Sequence, residues 1–343
     1  MPIDLNPLDN DHDLLFEVAL KVRQGHRFQP TGFPDLGAAE FDTPNGRSLL
    51  VESAQSMANR LEAVCWDESA NDLIKPLRGL SYVKVTRKEK NGATEEEKFL
   101  TSSVLEAHRL NSPYIEKTAE KIHARIKEEI GVGKSGPIDR PQFVKTILKF
   151  DVGSLLHGVF LESMDGRLRV ARAISAFIEA DGVKTAASGG VKNDRVQPSK
   201  DEAGGRTASE GFGNLPFPRD EYTAEKITLY ASVDLAQIRG YGLDEEATKM
   251  LILLALFKLR TFVDSPMRLR TACTFELKHG SDIASKNVTD FKLPERKDIL
   301  GEEGNNGEWT GDLPMLIRKL AVVEGDMLEE VEKMRMTPVV FTA

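Results

Sequence analysis

The stretch KITLYASVDLAQI, residues 226–238, carries the clearest structural pattern in the chain. Its apolar side chains alternate with polar ones and fall at Ile227, Leu229, Ala231, Val233 and Leu235. Because successive side chains of a β-strand point to opposite faces, the stretch predicts a strand with one buried face. A helix is predicted after it, from Asp244 to about Val263, since an acidic start suits the positive end of the helix dipole.

The neighbouring segments predict further elements around this strand. Residues 268–278 alternate in the same way, with one face formed by Leu269, Thr271, Cys273, Phe275 and Leu277. Upstream, residues 145–161 predict two strand segments broken at Gly153, and residues 168–180 predict a short helix. Between them and the central strand, residues 181–220 hold seven glycines and three prolines, which predicts a long excursion.

These elements predict an α+β fold. If the excursion contains one more strand, their order is that of a ferredoxin-like, RRM-type palm at residues 145–278, with a long Gly-rich insertion at residues 181–220. The sheet face away from the helices would then carry Lys226, Thr228, Tyr230, Ser232, Arg268, Arg270, Thr274 and Lys278. Such a face suits single-stranded RNA, although a merely solvated sheet face shows the same alternation.

Residues 1–144 are expected to form an N-terminal elaboration with added helices. A helix is predicted at residues 48–66, with Ser48 as its N-cap and apolar positions at Leu50, Ala54, Met57, Leu61 and Val64. A hairpin is predicted at residues 81–102, with its turn at Asn91-Gly92. Residues 113–130 are expected to be helical.

Charge is unevenly distributed along the chain. The formal net charge of −8 argues against a free-standing nucleic-acid binder, which is usually basic. Residues 279–343 form an acidic C-terminal extension, in which residues 301–335 carry nine acidic and four basic side chains. Residues 166–195 carry six basic and three acidic side chains, so a basic surface can coexist with an acidic total.

Cysteine usage and hydropathy predict a cytoplasmic protein without membrane contact. Cys65 and Cys273 are the only cysteines and lie far apart, which is typical of a reducing compartment. The acidic N-terminus lacks the layout of a secretion signal. No apolar run approaches the roughly 20 residues of a membrane helix.

Enzyme and cofactor motifs are incomplete. GVGKS at residues 131–135 resembles the end of a phosphate-binding P-loop, but Glu128 stands where its first glycine is needed, and a helix cap is expected instead. No histidine or cysteine spacing indicates a metal site, and no histidine has a triad-like spacing. We therefore expect no catalytic residue, metal or cofactor, although catalytic sites are assembled in space rather than in sequence.

Two short stretches suit phosphate binding. In SGGVKNDR, residues 188–195, paired glycines let backbone amides approach a phosphate, and Lys192 and Arg195 add charge. Asn193 can hydrogen-bond a base or a 2′-hydroxyl. Arg169 and Arg172 lie three apart on the predicted helix and would share a face. A solvated hairpin and an ion-paired helix stripe are the alternative interpretations.

Eight segments share their order and spacing with one known family. They are LVESAQSMANRLE (50–62), AHRLNSPY (107–114), FDVGSLLHGVF (150–160), RLRVARAISAFIEA (167–180), SGGVKNDRV (188–196), GFGNLPFPRDEYTA (211–224), DLAQIRGYGL (234–243) and MRLRTAC (267–273). They resemble the backbone subunit of the type I-G (formerly I-U) CRISPR Cascade, of the repeat-associated mysterious protein superfamily. The resemblance covers roughly residues 48–275.

This resemblance implies an RRM-type palm with a thumb-like insertion, for which residues 81–102 and 181–220 compete. Copies would stack head to tail along a guide RNA that pairs with invading DNA. The other implied partners are a guide-processing subunit, a large subunit and a recruited helicase-nuclease. The backbone subunit of type I systems is not the nuclease. In related type III systems an aspartate cleaves target RNA, and Asp194 is the residue to consider for that role here.

The basic and amide residues inside the matching segments are the expected RNA contacts. They are Gln55, Asn59, Arg60, Arg169, Arg172, Lys192, Asn193, Arg195, Arg219, Arg268 and Arg270. Arginine and lysine would hold phosphates, while the amides would hold sugar or base edges. His157 would either stack on a base or pack in the core. Two alternatives remain open: a ribonuclease that uses Asp194 or a histidine, and a scaffold that binds only proteins.

Overall fold

The computed structural model describes residues 2–33, 37–91, 94–131, 137–162, 166–192, 215–321, 334 and 336–342. The helices are α1 Ala54–Ala63, α2 Pro113–Glu116, α3 Ile122–Ile130, α4 Arg140–Phe150, α5 Val152–His157, α6 Leu235–Gly240, α7 Glu245–Asp264, α8 Arg296–Leu300 and α9 Asp312–Leu320. Short 3-10 helices lie at Asn6–Leu8, Lys75–Leu77 and Arg109–Asn111.

Runs of strands separate these helices in the described part of the chain. They are β1 Asp13–Val22, β2 Gly32–Phe33, β3 Gly37–Ala38, β4 Glu40–Thr43, β5 Gly46–Glu52, β6 Trp66–Asp67, β7 Asp72–Leu73, β8 Tyr82–Asn91, β9 Thr94–Ser102, β10 Val159–Leu161, β11 Leu168–Val170, β12 Ile174–Asp181, β13 Lys184–Lys192, β14 Leu215–Thr223, β15 Lys226–Asp234, β16 Met267–Arg270, β17 Cys273–Leu277 and β18 Met336–Val340. The predicted α+β class is confirmed.

The main sheet has the strand order β16-β17-β1-β15-β12-β5-β4, and its neighbouring strands are antiparallel. One face is buried, as the alternating burial along β1, β12 and β15 shows. Helices α1 and α7 contact strands of this sheet. Strands from residues 1–144 and strands from residues 145–278 therefore share one sheet.

The strand and helix predicted from the central stretch are confirmed. Ile227, Leu229, Ala231 and Val233 of β15 are buried, and the chain then turns into α6. Asp244 is the N-cap of α7, where its carboxylate accepts from the Ala247 amide at 2.7 Å. Most side chains of α7 are buried, so this helix forms the centre of the core.

The helix predicted at residues 48–66 begins later than expected. Residues 46–52 form β5, and Ser53 is the N-cap of α1. Ser48 instead donates a hydrogen bond to the Asp181 carboxylate of the neighbouring strand β12, at 2.7 Å. The expected helix at residues 113–130 is two helices, α2 and α3.

Two predictions in the middle of the chain were wrong. The strand pair expected at residues 145–161 is α4, α5 and the short strand β10, because a fully buried apolar run has no period that separates helix from strand. The helix expected at residues 168–180 is β11 and β12, in which Ile174, Ala176, Ile178 and Ala180 alternate into the core. Tertiary packing overrides the helical propensity of this segment.

The remaining predictions hold in part. Residues 268–278 fall in the two strands β16 and β17 instead of one, with Ala272 at a φ of +53° between them. The hairpin at residues 81–102 is confirmed as β8 and β9, and β8 also pairs with β18 in parallel. The expected excursion starts and ends as the antiparallel ribbon β13–β14, while residues 193–214 lie outside the described residues.

Candidate nucleic-acid interface

A large cavity, here called the first groove, has a volume of about 1400 Å³. It lies where residues 107–116, the start of α4, the β10–β11 hairpin and the end of α6 meet. Its charged lining consists of Arg109, Arg140, Arg169, Arg172, Glu116 and Glu162. Basic side chains therefore outnumber acidic ones by two to one in this lining, although the total charge of the protein is negative.

The β10–β11 hairpin presents the exposed wall of the first groove. Arg169 and Phe160 are cross-strand neighbours in it, and Phe160 is 47% exposed. The Arg140 guanidinium donates to the Arg169 carbonyl at 3.1 Å and lies over the Phe143 ring. A cation beside an exposed aromatic ring is the surface on which an unpaired base and its phosphate can both be held.

Arg172 connects the first groove to α1. It lies in the segment between β11 and β12, and its guanidinium donates to the Gln55 side chain. Asn59 is exposed one turn further along α1. The expected pairing of Arg169 and Arg172 on a helix face is wrong because both lie in extended chain, yet both line the same groove.

Arg60 and Arg270 are bound to a buried carboxylate. Glu52, only 1% exposed, accepts from Arg60 Nε at 2.7 Å and from the Arg270 guanidinium. Arg60 also donates to the Leu269 carbonyl, and Arg270 also donates to the Val51 carbonyl at 2.9 Å. These contacts fasten α1 to the β16–β17 hairpin and occupy many of the guanidinium donors.

A second groove, of about 590 Å³, lies between the turn after β1 and the β16–β17 hairpin. Arg23, His26, Arg27 and Arg268 supply its basic lining, and Glu221 is its acidic residue. Arg60 of α1 donates to the Arg268 carbonyl at 3.4 Å. The Arg172 side chain contacts α1 at its start, and the backbone carbonyl of Arg268 contacts it near its end, so α1 connects the two grooves and presents the exposed amides of Gln55 and Asn59 between them.

The ribbon β13–β14 carries two of the remaining predicted contacts, Lys192 and Arg219. Lys192 ends β13, while Asn193 and Arg195, together with Asp194, lie outside the described residues. Arg219 on β14 donates to the Glu221 carboxylate and to the Gln29 amide oxygen, the latter at 3.3 Å. The base of the ribbon thus adjoins the second groove, which Glu221 also lines.

The open sheet face expected to bind RNA is only partly available. Tyr230 stacks on Phe177 of the neighbouring strand, with ring centroids 5.2 Å apart. Thr228 is buried, and Glu17 and Glu179 flank this row of side chains. An aromatic pair between acidic neighbours suits a nucleic acid less well than the two grooves do.

Beneath the first groove lies a cluster of buried charges. Arg109 Nε donates to Glu62 at 2.7 Å, and a second nitrogen donates to the other carboxylate oxygen at 2.5 Å. Burial raises the pKa of Glu62 to about 7, and the Arg109 guanidinium opposes that rise. Burial also raises the pKa of Asp151, which accepts from Ser154. Lys258 of α7 contacts His157 at 2.9 Å.

Several lining residues had no signal in the sequence. Arg140, Arg23 and Arg27 lie outside the eight shared segments, and Phe160 fell in a predicted strand segment without a role. Each becomes a candidate only when distant segments meet at a groove. The incomplete P-loop motif ends α3, with Gly131 at a left-handed φ of +67°, as expected for a helix cap; residues 132–136 lie outside the described part.

Neither a metal centre nor a membrane span is found within the described residues. No group of three or more histidine, cysteine, aspartate or glutamate side chains could hold a metal ion there. No helix in that part of the chain is long and apolar enough to cross a membrane.

Solved structures resemble the chain only distantly. A CRISPR RNA-guided surveillance complex in a pre-nicking state matches at 12% identity and a TM-score of 0.40, covering 95% of this chain and 96% of that one. Another CRISPR RNA-guided surveillance complex matches at 13% identity and 0.35, covering 93% and 80%. Csc2 from Thermofilum pendens matches at 10% identity and 0.27, covering 84% and 71%. No curated protein matches the chain.

The family of the chain is shown by a comparison with family models, since the likeness to solved structures is weak. The model of the family described as CRISPR-associated protein GSU0053 matches residues 14–185, half of the chain. That range holds strands β1 and β12 of the main sheet, the helix α1, and most of the first groove. The chain therefore belongs to the CRISPR-associated protein GSU0053 family.

Proposed function

We propose that this protein is a guide-RNA-binding backbone subunit of a type I Cascade surveillance complex, of the I-G subtype. The observation that carries the proposal is the line of basic and amide groups from the first groove across α1 to the second groove. In a member of a CRISPR-associated family, such a line suits an RNA backbone. Phosphate contacts would position the strand, and base pairing would read the sequence.

The proposal divides the eleven expected contacts by their surroundings. Arg169 and Arg172 would hold phosphates in the first groove, and Gln55 and Asn59 would face sugars or bases between the grooves. Arg268 would hold a phosphate at the second groove. Arg60 and Arg270 are so fully engaged with Glu52 that their main role would be to hold α1 in place. Lys192, Asn193, Arg195 and Arg219 remain predicted contacts.

We propose a ferredoxin-like palm whose parts differ from those expected in the sequence. The order β1, α1, β12, β15, α7, β17 along the chain supports it, as do the neighbours β17-β1-β15-β12 in the sheet. The ribbon β13–β14 would then be the insertion between its second and third strands.

A charge-matched pair of triple variants tests RNA binding. Arg140, Arg169 and Arg172 are replaced by Ala in one protein, and the exposed Lys292, Lys297 and Lys319 are replaced in the control. Affinity for a short oligouridylate is measured across a salt titration. Each lost phosphate contact should reduce the salt slope by about 0.7. The groove variant should therefore lose about 1.4 through Arg169 and Arg172, or about 2 if Arg140 also holds a phosphate, and the control should lose nothing. Equal losses in both variants would refute the proposal.

The remaining parts of the proposal concern assembly. Copies would associate head to tail along RNA in the cytoplasm, together with the guide-processing, large and helicase-nuclease partners. Mass measurements with RNAs of increasing length should give stepwise stoichiometries, whereas one fixed stoichiometry would contradict the filament. We propose no catalytic role, so the RNA should stay intact with Mg²⁺ present. Cleavage that is lost in Asp194→Ala would support the ribonuclease instead.

A further inference from the structure

His157 lies at the floor of the first groove with its ring almost completely buried, 1% exposed. Its Nε2 atom lies 2.9 Å from Lys258 Nζ, and Lys258 is 3% exposed. A lysine ammonium carries donors and no acceptor, so Nε2 must accept this hydrogen bond. The proton of the neutral ring is therefore on Nδ1, which becomes a fixed donor.

The neutral state of this ring has several physical causes. Burial lowers the pKa of His157 well below its ordinary value, and the positive charges of Lys258, Arg109 and Arg172 lower it further. Burial, followed by the charge of Arg109, also lowers the pKa of the Arg172 guanidinium. The groove floor is thus a place where positive charge accumulates and where a negative group would be stabilised.

Within the described part of the chain, the Nδ1 atom of His157 has no hydrogen-bond partner. An unsatisfied buried donor is costly, and folded proteins keep few of them. The nearby guanidinium of Arg109 cannot relieve it, because a guanidinium has donors and no acceptor; its own donors go to Glu62, to the Gly158 carbonyl at 3.2 Å and to the Ala107 carbonyl at 3.4 Å. Because His157 lines the first groove, an acceptor that enters the groove can supply the missing partner.

We propose that an RNA phosphate oxygen accepts the hydrogen bond from His157 Nδ1 at the floor of the first groove. This inference rests on the proposed RNA-binding function. Arg172 supplies the second contact, since its hydrogen bond within the described residues goes to Gln55 and can be exchanged. Because Nδ1 is covered in the free protein, side chains at the groove floor shift as the phosphate enters. Lys258 is a positioning residue that fixes the ring tautomer.

Two substitutions at one position separate the donor from the fold. His157→Phe keeps a ring but removes both nitrogens, whereas His157→Gln keeps an acceptor for Lys258 and a donor toward the groove. Loss of a hydrogen bond to a charged group should weaken oligouridylate binding by about ten- to hundred-fold in His157→Phe, and His157→Gln should recover most of it. The salt slope should stay at the parental value, because a neutral donor displaces no counterion.

The salt slope distinguishes this inference from the proposed function. If His157→Phe binds like the parent while the Arg140/Arg169/Arg172 variant loses slope, the RNA site stands and this phosphate contact is refuted, with water as the partner of Nδ1. If both variants bind like the parent, the proposed function itself fails.

If His157→Phe does not fold, the unsubstituted protein gives the answer by NMR with ¹⁵N-labelled histidine. The Nδ1 proton signal of His157 should move when oligouridylate is added and should move less with inorganic phosphate alone. An unchanged signal at saturating RNA would overturn the inference. A shift of equal size with inorganic phosphate alone would overturn the inference in favour of a site for free anions.

Discussion

The buried pair of Glu62 and Arg109 should make the stability of the protein depend on pH in a way that one substitution removes. In the unfolded chain the Glu62 carboxyl has its ordinary pKa of 4.5, and in the folded protein burial raises it to about 7. Between these values the folded protein keeps a proton that the unfolded chain has released. The contribution of Glu62 to the free energy of unfolding is therefore fully present below about pH 4.5 and is lost as the pH rises to about 7.

The size of this effect follows from the two pKa values. At about 1.4 kcal/mol for each pKa unit, the rise from 4.5 to about 7 corresponds to on the order of 3 kcal/mol. Glu62→Gln removes the titration and leaves the neighbouring Asp151 and His157 to titrate as before. The parent should therefore lose more of its free energy of unfolding than the variant when the pH rises from about 5 to about 8.

Urea unfolding, followed by far-UV circular dichroism at several pH values, measures the difference. Glu116→Gln is the control, since Glu116 is exposed at the rim of the first groove. Its pH dependence should match that of the parent. If Glu62→Gln has the same pH dependence as the parent, the carboxylate is ionised across the whole range, and the reasoning from burial is refuted.

Two further predictions concern the frame of the grooves. Gly158→Ala should lower the free energy of unfolding by more than about 1 kcal/mol, because φ is +80° and the added Cβ would lie 2.9 Å from the Val170 carbonyl oxygen. Gly166→Ala, with a similar φ but open space, should cost less in the same urea titration. Asp244→Ala should lower it by about 1 kcal/mol through loss of the α7 cap, and an unchanged melting temperature would contradict that role.

The strand and the helix that were predicted well from the sequence have clear local signals, namely one solvent-exposed face for the strand and an acidic cap for the helix. The strand at residues 226–234 alternates, and α7 begins with an acidic cap, so period and capping agree there. Almost all of residues 146–157 are buried, and such a run carries no period. Their helices are set by the Asp139 cap and by packing. Strand β1, at Asp13–Val22, alternates in burial as well but was not predicted.

From the sequence, the residue types of the candidate site could be predicted, but their positions in the fold could not. Arginine inside a shared segment indicates either a phosphate contact or an internal ion pair, and sequence spacing cannot separate the two. Arg169 and Arg60 illustrate this, since one lines a groove and the other is bound to Glu52. Glu52 and Arg270 are more than two hundred positions apart, a separation that only the folded chain closes.

The Glu52 cluster has a consequence for how mutational surveys of this family are interpreted. Replacing Arg60 or Arg270 by Ala would leave the buried Glu52 carboxylate short of one guanidinium and loosen α1 from the β16–β17 hairpin. The resulting fall in RNA retention would look the same as a lost phosphate contact. A survey scored only by bound RNA would then count scaffold residues as ligand contacts, and its map of the interface would be too wide. Scoring each variant by thermal melting as well separates the two groups.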